Sequence, residues 1–228
     1  MTTRVGVVLF PGTNCELDVV HATEALGASA ELLWHGDATT NGVDAVVVPG
    51  GFAHGDYLRT GAIARFSPVM QAVGEHARTG GPVVGICNGF QVLCEAHLLP
   101  GALQKNAGLK FLCQTVSLRV ETTRTVLTSL AQTGDVLHIP INHFEGNYVC
   151  NDRTLAQLRA DDRVVVRYVD NPNGSLDDIA GICNDARNVV GLMPHPERAS
   201  DPILGSADGV VLLKSLLAAA ADRATMPV

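Results

Sequence analysis

Long hydrophobic runs are missing from this chain of 228 residues. Its apolar residues come in short bursts broken by Gly, Pro and Asn, and none approaches the roughly 20 consecutive apolar residues that a transmembrane helix needs. The first residues, MTTRVGVVLFPG, also lack the longer apolar stretch and the small-residue cleavage site of a secretory signal. These absences predict a protein that does not span a membrane and that stays in the cytoplasm.

Clusters of lysine and arginine are missing as well. The chain has 16 Lys and Arg against 23 Asp and Glu, which gives a formal net charge of −7 at pH 7. A protein that neutralises phosphates along a nucleic acid needs a basic run or stripe. Nucleic acid is therefore not an expected partner.

Cys-x-x-Cys spacings are absent among the six cysteines, which are Cys15, Cys87, Cys94, Cys113, Cys150 and Cys183. The usual zinc sites built from thiolates depend on such spacings, so no metal site is predicted. Without an export signal, free thiols are expected rather than disulfides.

The first half of the chain alternates β-rich and helical segments. Strands are predicted at 4–10, 30–34, 45–48 and 82–86, and helices at 14–26, from Ser67-Pro68, and at 88–97. After Gly101 longer strand-like segments follow at 111–121, 136–141, 164–169, 179–184 and 189–193, and a helix at 208–221 closes the chain. The pattern predicts one domain over residues 1–228, a three-layer α/β fold with a mostly parallel central sheet and additional antiparallel strands.

Cys87 lies between two glycines in GICNGFQ, where the predicted strand 82–86 gives way to a helix. A nucleophile on a tight strand-to-helix turn needs small neighbours because the chain passes close on both sides, and Gly85 and Gly89 meet that need. The first amides of the helix favour a thiolate and can also hold an oxyanion. A lone cysteine is more often a core residue, which is the interpretation for Cys94. The glycines favour a nucleophile at Cys87 without separating a hydrolase from an amidotransferase.

A thiol nucleophile needs a base that a third group orients. Among eight histidines, His195 stands out because Pro194 and Pro196 flank it in MPHPER. The prolines should hold this segment extended, so that Glu197 projects to the same side and reaches one imidazole nitrogen. The alternative is a stiff surface turn with a solvated Glu-Arg pair. His143, in the polar stretch NHFEGN, is an intermediate candidate, and the other histidines have weaker claims.

Two glycines end the predicted strand in VVVPGGF, residues 46–52. If this strand neighbours the cysteine strand, the amide of Gly51 joins the amide of Asn88 in stabilising a tetrahedral oxygen. An ordinary Pro-Gly turn would explain the same residues.

Taken together and in this order, VPGGF, GICNGFQ and PHPE resemble the motifs of the class I glutamine amidotransferases. The stretches GGFAHGDYLRTGAIA (50–64), NPNGSLDDIAGICN (171–184) and GLMPHPER (191–198), with VGVVLFPGTNCE near the start, are similar to the glutaminase subunits of phosphoribosylformylglycinamidine synthases. The resemblance covers nearly the whole chain and implies the flavodoxin-like fold of that family.

The resemblance also implies roles for particular residues. Cys87 would be the nucleophile, His195 the general base and acid, and Glu197 the residue that orients His195. Gly51 and Asn88 would supply the oxyanion amides.

Further contacts with glutamine are implied for Gln91 and for the backbone around Phe52 and His143. In this loop the chain departs from the family pattern, because it reads INHFEG where IAHGEG is expected. Asn142 and Phe144 should therefore change the contacts of the loop with glutamine and leave the triad unaffected.

The implied reaction is hydrolysis of glutamine to glutamate and ammonia through a thioester on Cys87. The sequence contains no Gly-x-x-x-x-Gly-Lys-Ser/Thr loop, so no cofactor is expected in this chain. The resemblance implies a large synthetase subunit that uses ATP and Mg²⁺ to convert formylglycinamide ribonucleotide to the amidine, and in many bacteria a small third subunit. Loop 53–61, AHGDYLRTG, is the candidate docking surface, with a plain charged surface loop as the alternative.

Other functions remain open. A Cys-dependent α/β hydrolase shares the Gly-x-Cys-x-Gly turn, and it would not require His-x-Glu after a proline. A non-enzymatic thiol sensor of the flavodoxin-like superfamily would have Cys87 oxidised rather than acylated. A glutaminase that serves a different acceptor is a third alternative.

Overall fold

The computed structural model describes residues 2–225. Within that range the strands are β1 (Arg4–Leu9), β2 (Ser29–Trp34), β3 (Ala45–Val48), β4 (Val83–Ile86), β5 (Ala102–Gln104), β6 (Leu112–Val120), β7 (Val136–His143), β8 (Asn147–Val149), β9 (Val164–Tyr168), β10 (Ile179–Cys183) and β11 (Val189–Leu192). The α-helices are α1 (Glu16–Ala25), α2 (Pro68–Arg78), α3 (Asn88–Glu95), α4 (Asp152–Ala160) and α5 (Val210–Thr225). None of these helices combines the length and hydrophobicity that crossing a membrane requires.

Five parallel strands form one half of the central sheet, in the order β2-β1-β3-β4-β11. This is the order of flavodoxin-like sheets. Every residue of β3, β4 and β11 is buried, because helices cover both faces of the sheet. Helices α1 and α5 both contact the 3₁₀ turn Pro196–Ala199 on one face, and α2 and α3 both contact the turn Ala64–Phe66 on the other. The predicted α/β fold with a mostly parallel sheet is confirmed.

Four antiparallel strands extend the sheet beyond β11, in the order β10-β9-β6-β7. The hairpin predicted around DARN joins β10 to β11. Strand β7 then returns to the parallel half, because the backbone N–H of His195 donates to the carbonyl of Pro140 at 2.9 Å. The antiparallel extension therefore contributes to the region that follows β11.

The predicted strands agree with the structure to within about two residues at each end, whereas α4, β5 and β8 were not predicted. Helix α4 is polar and buries only Leu158, so it shows little apolar periodicity. Its start is marked by Asn151, whose side chain accepts a hydrogen bond from the Thr154 amide at 2.8 Å. Ser67 does precede α2, but its hydroxyl bonds His54 Nε2 at 3.2 Å instead of capping the helix.

The carboxyl ends of β3, β4 and β11 lie side by side. Val48 pairs with Gly85 across β3 and β4, and Ile86 pairs with Leu192 across β4 and β11. The Cys87 amide continues the second pairing, donating to the Leu192 carbonyl at 2.8 Å. The segments that follow these three strands are therefore neighbours in space.

Helix α3 begins so close to β3 that a side chain does not fit at Gly89. A Cβ built on Gly89 would lie 1.8 Å from the Val48 carbonyl oxygen. A Cβ on Gly85 would lie 2.7 Å from the Gly89 carbonyl carbon. The two glycines around Cys87 thus allow the tight strand-to-helix turn, for the steric reason expected from the sequence.

We expect Gly89→Ala to lower the free energy of unfolding by about 3 kcal/mol, because a backbone carbonyl has to move to admit the methyl group. Gly74→Ala is the matched control. Gly74 lies inside α2, and a Cβ there meets no atom within 4 Å, so alanine should stabilise the protein by about 0.5–1 kcal/mol. Urea unfolding followed by circular dichroism measures both changes, and equal midpoints for the two variants would contradict the packing described here.

Candidate active site

Cys87 occupies the turn between β4 and α3 with a strained backbone. Its φ is 53° and its ψ is −107°, a conformation that costs a non-glycine residue about 1–3 kcal/mol. The turn places Cys87 directly before the first residue of α3, and the residue is 5% exposed. Its sulfur lies 3.7 Å from the carbonyl oxygen of Asn142, at the end of β7. The geometry is that of a nucleophile presented at the carboxyl edge of the sheet.

His195 and Glu197 form a buried pair behind this cysteine. His195 Nδ1 lies 2.6 Å from Glu197 Oε1, and the two residues are 1% and 2% exposed. The prediction of an extended conformation is wrong beyond His195, because residues Pro196–Ala199 form a 3₁₀ turn. The turn brings Glu197 back to the ring by a different path from the one predicted, and the predicted contact is nevertheless made.

Opposing effects act on the imidazole of His195. Burial by itself lowers the pKa of His195, whereas the Glu197 carboxylate, Cys87 and Cys15 raise it, and the net pKa lies well above its usual range. The ring is therefore expected to hold a proton at rest, shared at Nδ1 with Glu197. An imidazolium in this position stabilises a nearby thiolate.

Gly51, after β3, has a φ of +147°, which a side chain would rarely allow. It forms an isolated bridge with Thr13, in which the amides of Asn14 and Phe52 are the donors. The Gly51 amide is thus not used in that bridge. Asn88 begins α3, so its backbone amide is one of the N-terminal amides that a helix leaves unbonded.

The side chain of Asn88 connects α3 to the loop after β3. Its Oδ1 accepts from the Ala53 amide at 3.0 Å, and its Nδ2 donates to Asp56 Oδ1 at 3.2 Å and to Gln91 Oε1 at 2.8 Å. Gln91 in turn donates through Nε2 to the Glu145 carbonyl. One continuous hydrogen-bond network therefore joins the loops on both sides of α3, a link that the sequence analysis did not anticipate.

His143, at the end of β7, is buried and neutral. Burial first, and then the charge of His195, lower the pKa of His143 to about 4. Its Nδ1 lies 3.1 Å from Asn106 Oδ1, which also accepts from the Gly146 amide, so the neutral ring carries its proton at Nδ1. Asn106 was not singled out in the sequence, where an isolated asparagine in a loop gives no signal.

A cavity of about 510 Å³ opens above Cys87. Six of the residues proposed from the sequence line it, namely Cys87, His195, Gly51, Phe52, Gln91 and His143. Asn142 and Phe144, where the chain departs from the family pattern, line it too. Glu197 and Asn88 lie outside the lining, behind His195 and below the loop after β3. The cavity is of a size suited to a small ligand.

Charged residues at the cavity were missed by the sequence analysis. Asp56 and Glu145 bring negative charge to the lining, and Lys105 brings positive charge. Arg59 also lines the cavity, but its guanidinium makes two hydrogen bonds with Glu95, at 2.6 and 2.7 Å. Asp56, Arg59 and Glu145 lie in stretches that resemble the family, but no individual role was evident for them in the sequence, and their position in the fold is what places them at the cavity.

Cys15 was also missed. It lines the cavity directly before α1, at the same sheet edge as Cys87, and it is 3% exposed. The signal that could have found it is its place after β1, since the carboxyl ends of parallel strands meet at one edge. By contrast, Cys94 is a core residue of α3, and burial raises the pKa of its thiol.

Known proteins match this chain over nearly its whole length. A family model described as a CobB/CobQ-like glutamine amidotransferase domain matches residues 2–208. The phosphoribosylformylglycinamidine synthase subunit PurQ of Rubrobacter xylanophilus is 59% identical over 217 residues, which cover 95% of this chain and 99% of that protein. The subunit of the same name from Koribacter versatilis is 54% identical over 233 residues, covering 96% of this chain and 100% of the relative.

A solved structure is similar as well. A chain in the structure of PurLQS from Thermotoga maritima aligns with a TM-score of 0.88 and 41% sequence identity. The alignment covers 96% of this chain and 99% of the Thermotoga chain. The fold of this chain therefore agrees with that of the Thermotoga chain, and its motifs agree with the family model.

Asp56 is a half-buried carboxyl beside the cavity. Burial raises the pKa of Asp56 to about 6, with a further contribution from the charge of Glu145, and the hydrogen bond from Asn88 opposes the rise. A raised pKa means that the folded protein binds this proton more tightly than the unfolded chain does. The resulting stabilisation is fully present below the unfolded pKa and is lost as the pH rises through about 6.

We expect Asp56→Asn to be more stable than the unmodified protein at pH 7 by about 1 kcal/mol after allowance for solvent screening, and to lose that advantage near pH 4. Asparagine keeps an oxygen that can accept from Asn88, so the change removes mainly the charge. Chemical unfolding of both proteins between pH 4 and pH 7 measures the difference. A difference that does not vary with pH would show that Asp56 titrates normally.

Proposed function

This chain belongs to the family of CobB/CobQ-like glutamine amidotransferases, and we propose that it is the glutaminase subunit of a phosphoribosylformylglycinamidine synthase. The observation that carries the proposal is the meeting, above three neighbouring strands, of a strained cysteine, a buried His-Glu pair and the glycine turn at Gly51. The relatives that match this chain nearly end to end are named as subunits of that synthase.

The first step joins Cys87 to the side chain of glutamine. With the proton held by His195, the Cys87 thiolate attacks the carboxamide carbon, so that a C–S bond forms and the oxygen becomes an oxyanion. The amides of Gly51 and Asn88 are the proposed donors to that oxyanion, and one such donor is typically worth about 10²–10³-fold in rate. Glu197 keeps the imidazole oriented and stabilises its positive charge.

The second step releases ammonia. The C–N bond breaks as His195 returns the proton to the departing nitrogen, which leaves a thioester on Cys87. His195 then takes a proton from water, and the hydroxide adds to the thioester and expels the sulfur. The products are glutamate and ammonia, and Cys87 and His195 return to their starting states.

The charges of the cavity suit the other end of glutamine. Asp56 and Glu145 can receive the α-ammonium group, and Lys105 can receive the α-carboxylate. Gln91 is held by Asn88 and the Glu145 carbonyl, so it positions the loop that carries Glu145. The contacts of His143 and of the backbone at Phe52 with the substrate belong to the same proposal.

The competing functions considered from the sequence are less well supported. A thiol sensor has no use for a histidine whose buried carboxylate partner lies 2.6 Å away. A Cys-dependent α/β hydrolase does not require the order of motifs shared with the amidotransferases. Membership of the family therefore favours a glutaminase.

The ammonia is expected to pass to a partner before it reaches bulk water. We propose a large synthetase subunit that uses ATP and Mg²⁺ to aminate formylglycinamide ribonucleotide in the cytoplasm, together with a small third subunit. The similar Thermotoga chain belongs to a structure of PurLQS, which supports an assembly of this kind. This chain itself is proposed to hold no cofactor.

Loop 53–61 is the proposed docking surface for the synthetase. Tyr57 and Leu58 at its tip are 74% and 88% exposed, while Asp56 in the same loop contacts Asn88. A partner that moves this loop would therefore act directly on the network beside the proposed oxyanion amides. This coupling is a physical route by which docking raises glutaminase activity.

We expect Cys87→Ser to lower glutamine hydrolysis by at least about 10³-fold, because serine at this position lacks a reactive thiolate. Cys94→Ser is the control, since that thiol lies in the core and makes no contact with the cavity. Glutamate release measured by a coupled assay tests both variants. Alkylation by a glutamine analogue, followed by peptide mapping, should label Cys87, and full activity of the serine variant would exclude it as the nucleophile.

We expect the glutaminase rate of the chain alone to rise at least about tenfold when the synthetase subunit is added, because docking on loop 53–61 aligns the oxyanion amides. Steady-state deamidation with and without the partner is the measurement. Tyr57→Asp should remove the increase and leave the basal rate of the isolated chain unchanged, because Tyr57 is exposed and lies outside the cavity lining. Equal rates with and without the synthetase would reject the gating.

A further inference from the structure

Asn106 is a fully buried asparagine beside the turn that follows β7, and no step of the mechanism above uses it. It lies in the loop after β5, which the pairing of β5 with β8 brings against that turn. Its backbone N–H donates to the Phe144 carbonyl at 2.9 Å, and its Oδ1 accepts from the Gly146 amide at 3.1 Å. Asn106 therefore holds the backbone on both sides of Glu145.

The orientation of the Asn106 amide group is fixed by its backbone partners. Its Nδ2 donates to the carbonyls of Lys110 and His143, at 2.9 and 3.0 Å. The opposite orientation would set the amide nitrogen against the Gly146 N–H and the amide oxygen against these two carbonyls. The oxygen of Asn106 must therefore face the His143 ring.

The tautomer of His143 follows from this orientation. Its Nδ1 lies 3.1 Å from Asn106 Oδ1, and within the described residues its buried Nε2 has no hydrogen-bond partner. An amide oxygen accepts from an N–H but lacks the negative charge that stabilises an imidazolium. Glu197 supplies that charge to His195, so the two histidines of the cavity differ in charge because their partners differ.

Two charged residues of the cavity lie on the segments that Asn106 joins. Lys105 directly precedes Asn106, and Glu145 lies between the turn residues that Asn106 bonds. These are the groups proposed above for the α-carboxylate and the α-ammonium of glutamine. Both substrate groups are attached to one carbon atom, so their separation is fixed. The spacing between Lys105 and Glu145 has to be fixed as well.

The stretch NPNGS, which the mechanism also leaves without a role, supports the same turn from another side. Asn173 Nδ2 donates to the Gly146 carbonyl at 2.9 Å, and the Asn173 carbonyl accepts from the Ala107 amide at 2.9 Å. Because the turn is held from two sides, removal of the Asn106 side chain is expected to loosen the turn without unfolding the protein.

We propose that Asn106 is a positioning residue for glutamine, which sets the spacing of Lys105 and Glu145 and keeps His143 in the tautomer with its proton on Nδ1. The inference rests on the proposed glutaminase function. Asn106 is not among the residues that line the cavity, so it acts through the segments that it holds. Its loss should weaken glutamine binding more than it slows the chemical steps, because the triad lies on other segments.

We expect Asn106→Ala to raise the KM for glutamine at least about tenfold and to change kcat by less than about threefold. Asn188→Ala is the matched control. Asn188 is also buried, and its Nδ2 donates to the carbonyls of Ala77 and Gly81, both at 2.8 Å, before the start of β4. It should lower the urea midpoint and leave KM unchanged.

Steady-state glutaminase assays of the full chain, with urea unfolding of each variant, measure these effects. A partly folded variant would lower kcat and leave KM unchanged, so the two constants separate positioning from general stability. An unchanged KM in folded Asn106→Ala, or an equal rise in Asn188→Ala, would overturn the proposal. Asn106→Asp serves if alanine prevents folding, since it keeps the oxygen that faces Gly146 and His143 but loses both donated bonds, and its KM should rise too.

Imidazole ¹⁵N NMR tests the tautomer without turnover, with His143→Gln to assign the signals. Near pH 7 the His143 ring of the unmodified chain should be neutral with its proton on Nδ1. In Asn106→Asp the added carboxylate should raise the pKa of His143. A proton on Nε2 in the unmodified chain, or no rise in Asn106→Asp, would overturn the role of Asn106. Absence of glutamine hydrolysis by the unmodified chain would instead reject the proposed function and leave the NMR result valid.

Discussion

The side-by-side carboxyl ends of β3, β4 and β11 are the constraint on which the site depends. Each strand is followed by one part of the proposed chemistry, namely the glycine turn, Cys87 and His195. Because parallel strands in register end at the same edge, Gly50 and Cys87 come together although 36 residues lie between them in the chain. The arrangement costs conformational free energy at Cys87, whose backbone is strained. It also requires the glycines that let α3 begin against Val48.

The polar groups of the site form two separate systems. One is the buried pair of His195 and Glu197, where a carboxylate without solvent keeps the imidazole oriented and raises its pKa. The other is the network from Asp56 through Asn88 and Gln91 to the Glu145 carbonyl, which ties the loops after β3 and β7 to α3. The first system supports chemistry inside the protein. The second is open to influence from outside, which is what a subunit that passes ammonia to a partner requires.

The surroundings of the buried His195 come from several strand ends. The Glu197 carboxylate, Cys87 and Cys15 all raise the pKa of His195, against the effect of burial. Cys15 contributes to this environment from a strand end that the proposed reaction does not use. The imidazole is thus surrounded by groups that follow β1, β4 and β11.

The sequence by itself determined the parallel core, the turn at Cys87 and the family, because aliphatic runs, glycines and prolines act locally and leave a pattern in neighbouring residues. It also indicated that His195 and Glu197 meet, although through an extended segment where the structure has a 3₁₀ turn. Only the tertiary structure decided that β7 returns to Cys87, and that Cys15, Asp56 and Lys105 reach the cavity. The physical reason is that such contacts join residues far apart in the chain, through loops whose composition carries no periodicity.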